Sequence, residues 1–141
     1  MSPFQSPELQ AWASGFPVSL LHVAVTLAIL AAGAALYALI TPHRELQLIR
    51  EGNAAAALSF GGVLVGLAVP LAFALAASTS LVDIALWGAT TTVVQLALFW
   101  LTDLVLRGLP QRIRQGDIAA AVVLVAAKLA VAAILAAAVI A

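Results

Sequence analysis

Four long apolar runs, separated by short clusters of polar residues, proline and glycine, organise the chain: Pro17 to Ile40, Asn53 to Ala77, Leu81 to Leu106 and Asp117 to Ile140. About 20 apolar residues of helix cross a hydrocarbon core about 30 Å thick, so each run predicts a transmembrane helix. The breaks between them carry stop signals. Thr41-Pro42 ends the first run, because proline lacks a donor and restricts the residue before it. Ser78-Thr79-Ser80 is a polar turn after the second, and Arg107-Gly108-Leu109-Pro110 holds two chain breakers after the third. Ahead of the first run, Ser6-Pro7-Glu8 reads as a helix start, with serine as cap and proline in the first turn. Leu9, Trp12 and Phe16 follow at i, i+3 and i+7, which predicts a short interfacial helix lying on the outer surface.

A repeat relates the two halves. Ile49-Arg50-Glu51-Gly52-Asn53-Ala54-Ala55-Ala56 returns 64 residues later as Ile113-Arg114-Gln115-Gly116-Asp117-Ile118-Ala119-Ala120-Ala121. Each copy holds two spans, so both copies have the same orientation in the membrane, a parallel repeat. The expected fold is therefore all-α, a four-transmembrane-helix bundle built from two parallel two-helix repeats with a short interfacial N-terminal helix. Its divisions are residues 1–16 as the outer interfacial segment, 17–77 as the first hairpin repeat and 81–141 as the second.

Composition narrows the setting. With 65% hydrophobic and 9% charged residues, the chain lies far from an ordinary soluble domain, and its zero formal charge excludes an electrostatic nucleic-acid binder. The absence of cysteine removes disulfides and thiolate metal sites from consideration. Arg44 and Arg50 fall in the first connection and Arg107, Arg112 and Arg114 in the third, whereas the N-terminal segment, the Ser78–Ser80 turn and the C-terminus have no basic residue. Basic residues near span ends stay cytoplasmic, so both termini are expected outside. The first run is too long for a signal-peptide core and lacks a basic leader, which makes it a retained helix. Tyr37, Phe73, Trp87 and Trp100 lie near span ends, where amphipathic rings prefer the headgroup level.

Few residues are left to carry chemistry or contacts. In the repeated motif Arg50 and Arg114 precede Asn53 and Asp117, which read first as helix caps and, alternatively, as an inner-surface site for lipid phosphate or another anion. Ala55, Ser59, Gly62 and Gly66 form a strip of small residues that lets helix backbones approach; Ala126 and Ala130 continue the theme on the fourth span. Whether these seams meet within one chain or join subunits stays open. Pro70 should kink the second span.

Lys128 is the least expected residue, near the bilayer midplane, where a lysine costs about 2.5–3.5 kcal/mol. It lies about 200° around the helix from Ala126 and Ala130, away from that seam. The best partner surface is a polar stripe of Gly88, Thr91, Gln95 and Thr102 on the third span, with Gln95 able to accept from the ammonium. Asp83 and Asp103 lie near opposite ends of that span, too far along it for a direct pair, and Asp103 has Arg107 at i+4 as its expected neutralising partner. His22 and His43 have no second ligand at metal spacing. No nucleophile elbow, phosphate loop or buried carboxylate pair is present, so neither an enzyme nor a cofactor is expected.

The stretch from Tyr37 through Thr41-Pro42, Glu45 and Leu48-Ile49-Arg50-Glu51-Gly52-Asn53-Ala54-Ala55-Ala56, continuing through Ser59, Gly61-Gly62, Gly66, Pro70-Leu71 and Trp87-Gly88 to Gln95, resembles the YjfL-like bacterial inner-membrane proteins. That family, of unknown function, is built from a duplicated two-helix unit. The resemblance implies a bacterial inner-membrane protein and transfers no catalytic residue. A lysine at position 128 is not expected from the family pattern. Two functions follow as expectations. The first is an accessory, assembly or scaffold subunit of a larger membrane complex, joined through the small-residue seams. The alternative is a homo-oligomeric channel or transporter-like protein with a path lined by Thr91, Gln95 and Lys128.

Overall fold

The computed structural model describes residues 6–41 and 44–141. Pro42 and His43, and the first five residues of the expected interfacial segment, lie outside the described residues. The elements are α1 (Pro7–Ile40), α2 (Glu45–Arg50), α3 (Ala54–Ala77), α4 (Leu81–Val105), α5 (Leu109–Arg114) and α6 (Ile118–Val139). Four of them, α1, α3, α4 and α6, are long and apolar enough to cross a membrane.

Two features depart from expectation. Residues 7–16 do not form a separate interfacial helix; they are the first turns of α1, which runs unbroken through Pro17 for 34 residues. At 1.5 Å per residue that is about 51 Å, well beyond the hydrocarbon thickness. Proline removes one donor, the one that would pair the Ala13 carbonyl, and the helix continues past it. Trp12 and Phe16 stack on the exposed face of this extension with ring centroids 5.3 Å apart. The second departure is that the first and third connections contain the six-residue helices α2 and α5.

Caps set the remaining ends. Ser80 accepts from the Asp83 N–H at 3.1 Å to start α4, and Asp83 accepts from the Thr79 N–H at 3.4 Å. Helix α3 continues through Pro70, which is buried. It is the hub of the bundle, packing most extensively on α6 and also against α1, α4 and α2. Helix α1 is peripheral, with only Gly33 and Tyr37 buried among its described residues, and it rests mainly on α4. That interface is reciprocal. A Cβ on Gly33 would lie 2.7 Å from Thr92 Cγ2, and one on Gly88 would lie 2.9 Å from Ile29 Cδ1, so each helix supplies a glycine under the other's side chain. One core cluster, of Ala55, Ala56, Ile113, Ala120, Ala121 and Leu124, sits at the end carrying α2 and α5; a second, of Tyr37, Val63, Leu67, Leu96 and Phe99, lies in the interior.

Candidate functional site

An all-apolar helix of alanine, valine and leucine could turn several faces inward at similar cost. On α6 the buried residues are Ala120, Ala121, Leu124, Lys128, Ala132 and Ala136, which apart from Ala121 keep a four-residue spacing centred on the lysine. Ala126 and Ala130 are exposed, so the α6 part of the small-residue seam does not pack within this chain. The physical reason is the charge. An ammonium facing lipid is more costly than a lost alanine contact, so the lysine decides which face is buried.

The Lys128 side chain is 1% exposed and its Nζ lies 2.9 Å from Asp103 Oδ1 on α4. The contact is an ion pair whose alignment falls outside hydrogen-bonding geometry. Lys128 Nζ also donates to the Tyr37 hydroxyl at 3.2 Å, and it stands 5.1 Å from the Tyr37 ring centroid and 5.4 Å from that of Phe99, within cation–π range. From Tyr37 the network continues. Its hydroxyl donates to Glu45 Oε1 at 3.3 Å, and the Ser59 hydroxyl donates to the same oxygen at 3.0 Å. Five helices thus contribute one polar group each: Tyr37 from α1, Glu45 from α2, Ser59 from α3, Asp103 from α4 and Lys128 from α6.

Asp103, not Gln95, is the partner of Lys128, which corrects the expectation from residue positions alone. A helical side chain leans toward the N-terminus of its helix, and α6 begins at the end where α4 finishes. The four-carbon stem therefore carries the ammonium toward that end, where Asp103 sits in the last turn of α4. Gln95, eight residues earlier on α4, is about 12 Å farther along the axis. The expected Asp103–Arg107 pair is not formed among the described residues.

One cation faces two carboxylates in this interior. Burial raises the Glu45 carboxyl above its usual range, against the opposing pull of Lys128 and the hydrogen bonds from Ser59 and Tyr37. Its second oxygen, Oε2, has no hydrogen-bond partner among the described residues. Thr91, Thr92 and Gln95 are buried. Gln95 is fully buried, yet neither its amide nitrogen nor its oxygen finds a protein partner, and Thr92 Oγ1 is in the same position. Unpartnered buried polar atoms of this kind are sites that a bridging water would satisfy.

A cavity of about 450 Å³ opens beside the network at the end carrying α2 and α5. Tyr37 and Asp103 line it, with Arg107 and Arg114 toward its mouth. Glu45 and Tyr37 were not singled out as partners by sequence reasoning. The usable signal was the unbalanced charge of Lys128, which calls for a carboxylate, together with an acid just beyond the end of the first span.

The small-residue strip of α3 is buried within the chain. A Cβ on Gly62 would lie 2.6 Å from both Cγ atoms of Val125, and one on Gly66 would lie 2.6 Å from Phe99 Cζ. Ala55 and Ser59 are likewise covered.

The repeated motif builds the same turn twice. Gly52 (φ +87°) and Gly116 (φ +85°) occupy the left-handed region after α2 and α5. The Asn53 N–H bonds Leu48 O and the Gly52 N–H bonds Ile49 O, matched by Asp117 to Arg112 O and Gly116 to Ile113 O, the Schellman pattern. Asn53 then accepts from the Ala56 N–H at 3.0 Å and Asp117 from the Ala120 N–H at 3.2 Å, capping α3 and α6. The side-chain nitrogen of Asn53 donates to the carbonyls of Ile113 and Arg114, both at 3.1 Å, tying α3 to α5. Asp117 pairs with Arg112 at 2.6 Å, and the Ala120 N–H with that guanidinium holds its carboxyl below the usual range. Arg50 and Arg114 are exposed at this end of the bundle.

Comparison with known proteins gives a consistent family. A family model described as a domain of unknown function, DUF350, matches residues 11–139. Over 95 residues the chain is 38% identical to the UPF0719 inner membrane protein YjfL of Escherichia coli K12, covering 67% of this chain and 72% of that protein. The protein of the same name from Escherichia coli O157:H7 aligns with the same figures. No solved structure matches.

Proposed function

The chain belongs to the YjfL-like UPF0719 family of uncharacterised membrane proteins, and from the chemistry of its interior we propose that it is a homo-oligomeric channel- or transporter-like protein that passes a proton or small cation. The observation that carries this reading is the buried Lys128–Asp103 pair joined through Tyr37 to Glu45 and Ser59. Ionisable groups inside a membrane bundle are expensive, and the usual return is a relay or an ion path. Thr91 and Gln95 extend the polar surface from this network along α4, and the unpartnered Gln95 amide favours a hydrated segment.

Placement follows the same reading. The protein lies in the bacterial inner membrane with the arginine-bearing end cytoplasmic and both termini periplasmic. The paired packing of α1 with α4 and of α3 with α6, together with the twice-built glycine turn, supports a duplicated hairpin, residues 17–77 and 81–141. Self-association uses the outward face of α6, where Ala126 and Ala130 are exposed. An accessory or scaffold role has less support, because of the two seams on which it rested the Gly62/Gly66 strip is filled by Val125 and Phe99 of the same chain. On this reading the protein is not an enzyme.

The test is flux into liposomes holding the purified protein, read with an internal pH dye under an imposed potassium potential, and with sodium or potassium gradients as separate arms. Wild type should exceed empty liposomes, and Lys128→Met and Gln95→Leu should lose the excess. A wild-type rate equal to that of empty liposomes for every ion would refute the reading. Native mass spectrometry should find a closed homo-oligomer; a fixed stoichiometry with another polypeptide would restore the accessory role.

A further inference from the structure

Two adjoining hollows on the α1/α4 side have the chemistry of one amphiphile. The first is the cavity of about 450 Å³, whose wall carries Trp100 and Leu104 and whose mouth carries Arg107 and Arg114. The second, of about 280 Å³, runs along the outer face of the bundle between α1 and α4 and is lined by Leu36, Ile40, Val93, Leu96, Ala97 and Trp100 alone. They share Ile40, Leu96 and Trp100, so the apolar groove adjoins the polar cavity. From Val93 to Trp100 the groove follows α4 for about 10 Å toward the interior of the membrane.

The order of the two hollows is that of a lipid. The apolar groove lies at hydrocarbon depth. Trp100, 61% exposed, stands at the junction, where an indole prefers the headgroup level. Beyond it come two guanidiniums, which match phosphate oxygens in a planar fork. Asp103 in the same wall is held by Lys128, so its charge does not oppose an anion there. The backbone of Arg114 is tied to α3 by Asn53, which donates to the Arg114 carbonyl at 3.1 Å.

We propose that these hollows form a seat for one anionic phospholipid, its phosphate between Arg107 and Arg114 and an acyl chain along Leu36, Val93 and Ala97. The cavity shares Tyr37 and Asp103 with the proposed path, but the groups that hold the lipid, Arg107, Arg114 and the apolar groove, are not members of it. Ala97 and Arg107 are both exposed, so substitutions there leave the folded bundle in place.

The experiment is native mass spectrometry of the full chain in mild detergent, supplied with phosphatidylglycerol, with phosphatidylethanolamine, or with soluble glycerol phosphate. Wild type should retain one phosphatidylglycerol in preference to phosphatidylethanolamine. Arg107→Gln combined with Arg114→Gln should abolish the preference, and Ala97→Phe, which fills the groove, should release the lipid while leaving the arginines intact. Unchanged retention in both variants would overturn the seat. Retention lost in the arginine variant but kept in Ala97→Phe, with glycerol phosphate displacing the lipid, would replace it with a site for a soluble phosphate. Thermal unfolding of each variant separates loss of the lipid from loss of the fold.

Discussion

Replacing Asp103 by asparagine keeps the size of the side chain and removes the charge that faces Lys128. At 2.9 Å and an effective dielectric of about 20, the pair attracts by about 5–6 kcal/mol before desolvation is subtracted. Breaking a buried pair by deleting one partner costs about 3–5 kcal/mol, because the other charge is left buried and uncompensated. Lys128 keeps its Tyr37 hydrogen bond and two aromatic faces, so the lower end applies, about 3 kcal/mol. The reverse deletion is milder. Asp103 is 19% exposed and lines the cavity, so after Lys128→Met it can be hydrated, at about 1–2 kcal/mol. In the Lys128→Met/Asp103→Asn double variant neither member of the pair is left facing a lost partner; Glu45 loses its cation in the Lys128→Met single and the double variant alike, so that loss cancels in the cycle and a coupling of about 2–3 kcal/mol remains. The assay is reversible unfolding in mixed micelles, with helix content followed against the mole fraction of denaturing detergent. Equal costs for the two single variants, or an additive double variant, would refute the reasoning.

Adjacent glycines on α3 offer a matched comparison. Gly62→Ala places a methyl 2.6 Å from Val125 and should destabilise the bundle by about 1–3 kcal/mol, whereas Gly61→Ala meets nothing within 4 Å and should be neutral or slightly stabilising in thermal unfolding. Recovery of the Gly62→Ala loss by Val125→Ala would locate the clash; a loss of self-association without a loss of stability would show that the strip faces another subunit. The Glu45 carboxyl, facing Tyr37, Ser59, Lys128 and Asp103, has its folded-state pKa raised above the unfolded value. The folded protein therefore holds the extra proton between the two values, and the stability linked to Glu45 falls as pH rises through that window. Unfolding measured from about pH 4 to pH 8 should show this slope in wild type and not in Glu45→Gln; an identical slope in the variant contradicts the assignment.

Much of the architecture could be read directly because the bilayer imposes it. Apart from the start of α1, which lies ten residues earlier, at Pro7, span limits followed from apolar length, and the Asn53 and Asp117 caps from an oxygen-bearing side chain placed after a glycine. The Ser80 start of α4 obeyed the same local rule. Reading failed where an outcome depended on the third dimension. Lys128 was recognised as needing a polar partner, but its backbone position suggested Gln95, while the stem length and the lean of the side chain delivered it to Asp103. Tyr37 looked like an interfacial ring; it is buried and bridges Lys128 to Glu45.

By itself, then, the sequence determined four membrane-crossing helices, their turns and caps, and the presence of a cation that could not be left facing lipid. These are local or one-dimensional matters, decided by hydrophobic length and by hydrogen bonds within a few residues. Tertiary structure alone decided which face of α6 turned inward, that the α3 strip is filled by Val125 and Phe99, and that groups as distant in sequence as Tyr37 and Lys128 meet. In lipid no hydrophobic gradient distinguishes one apolar helix face from another, so close packing and the satisfaction of buried charge make those choices.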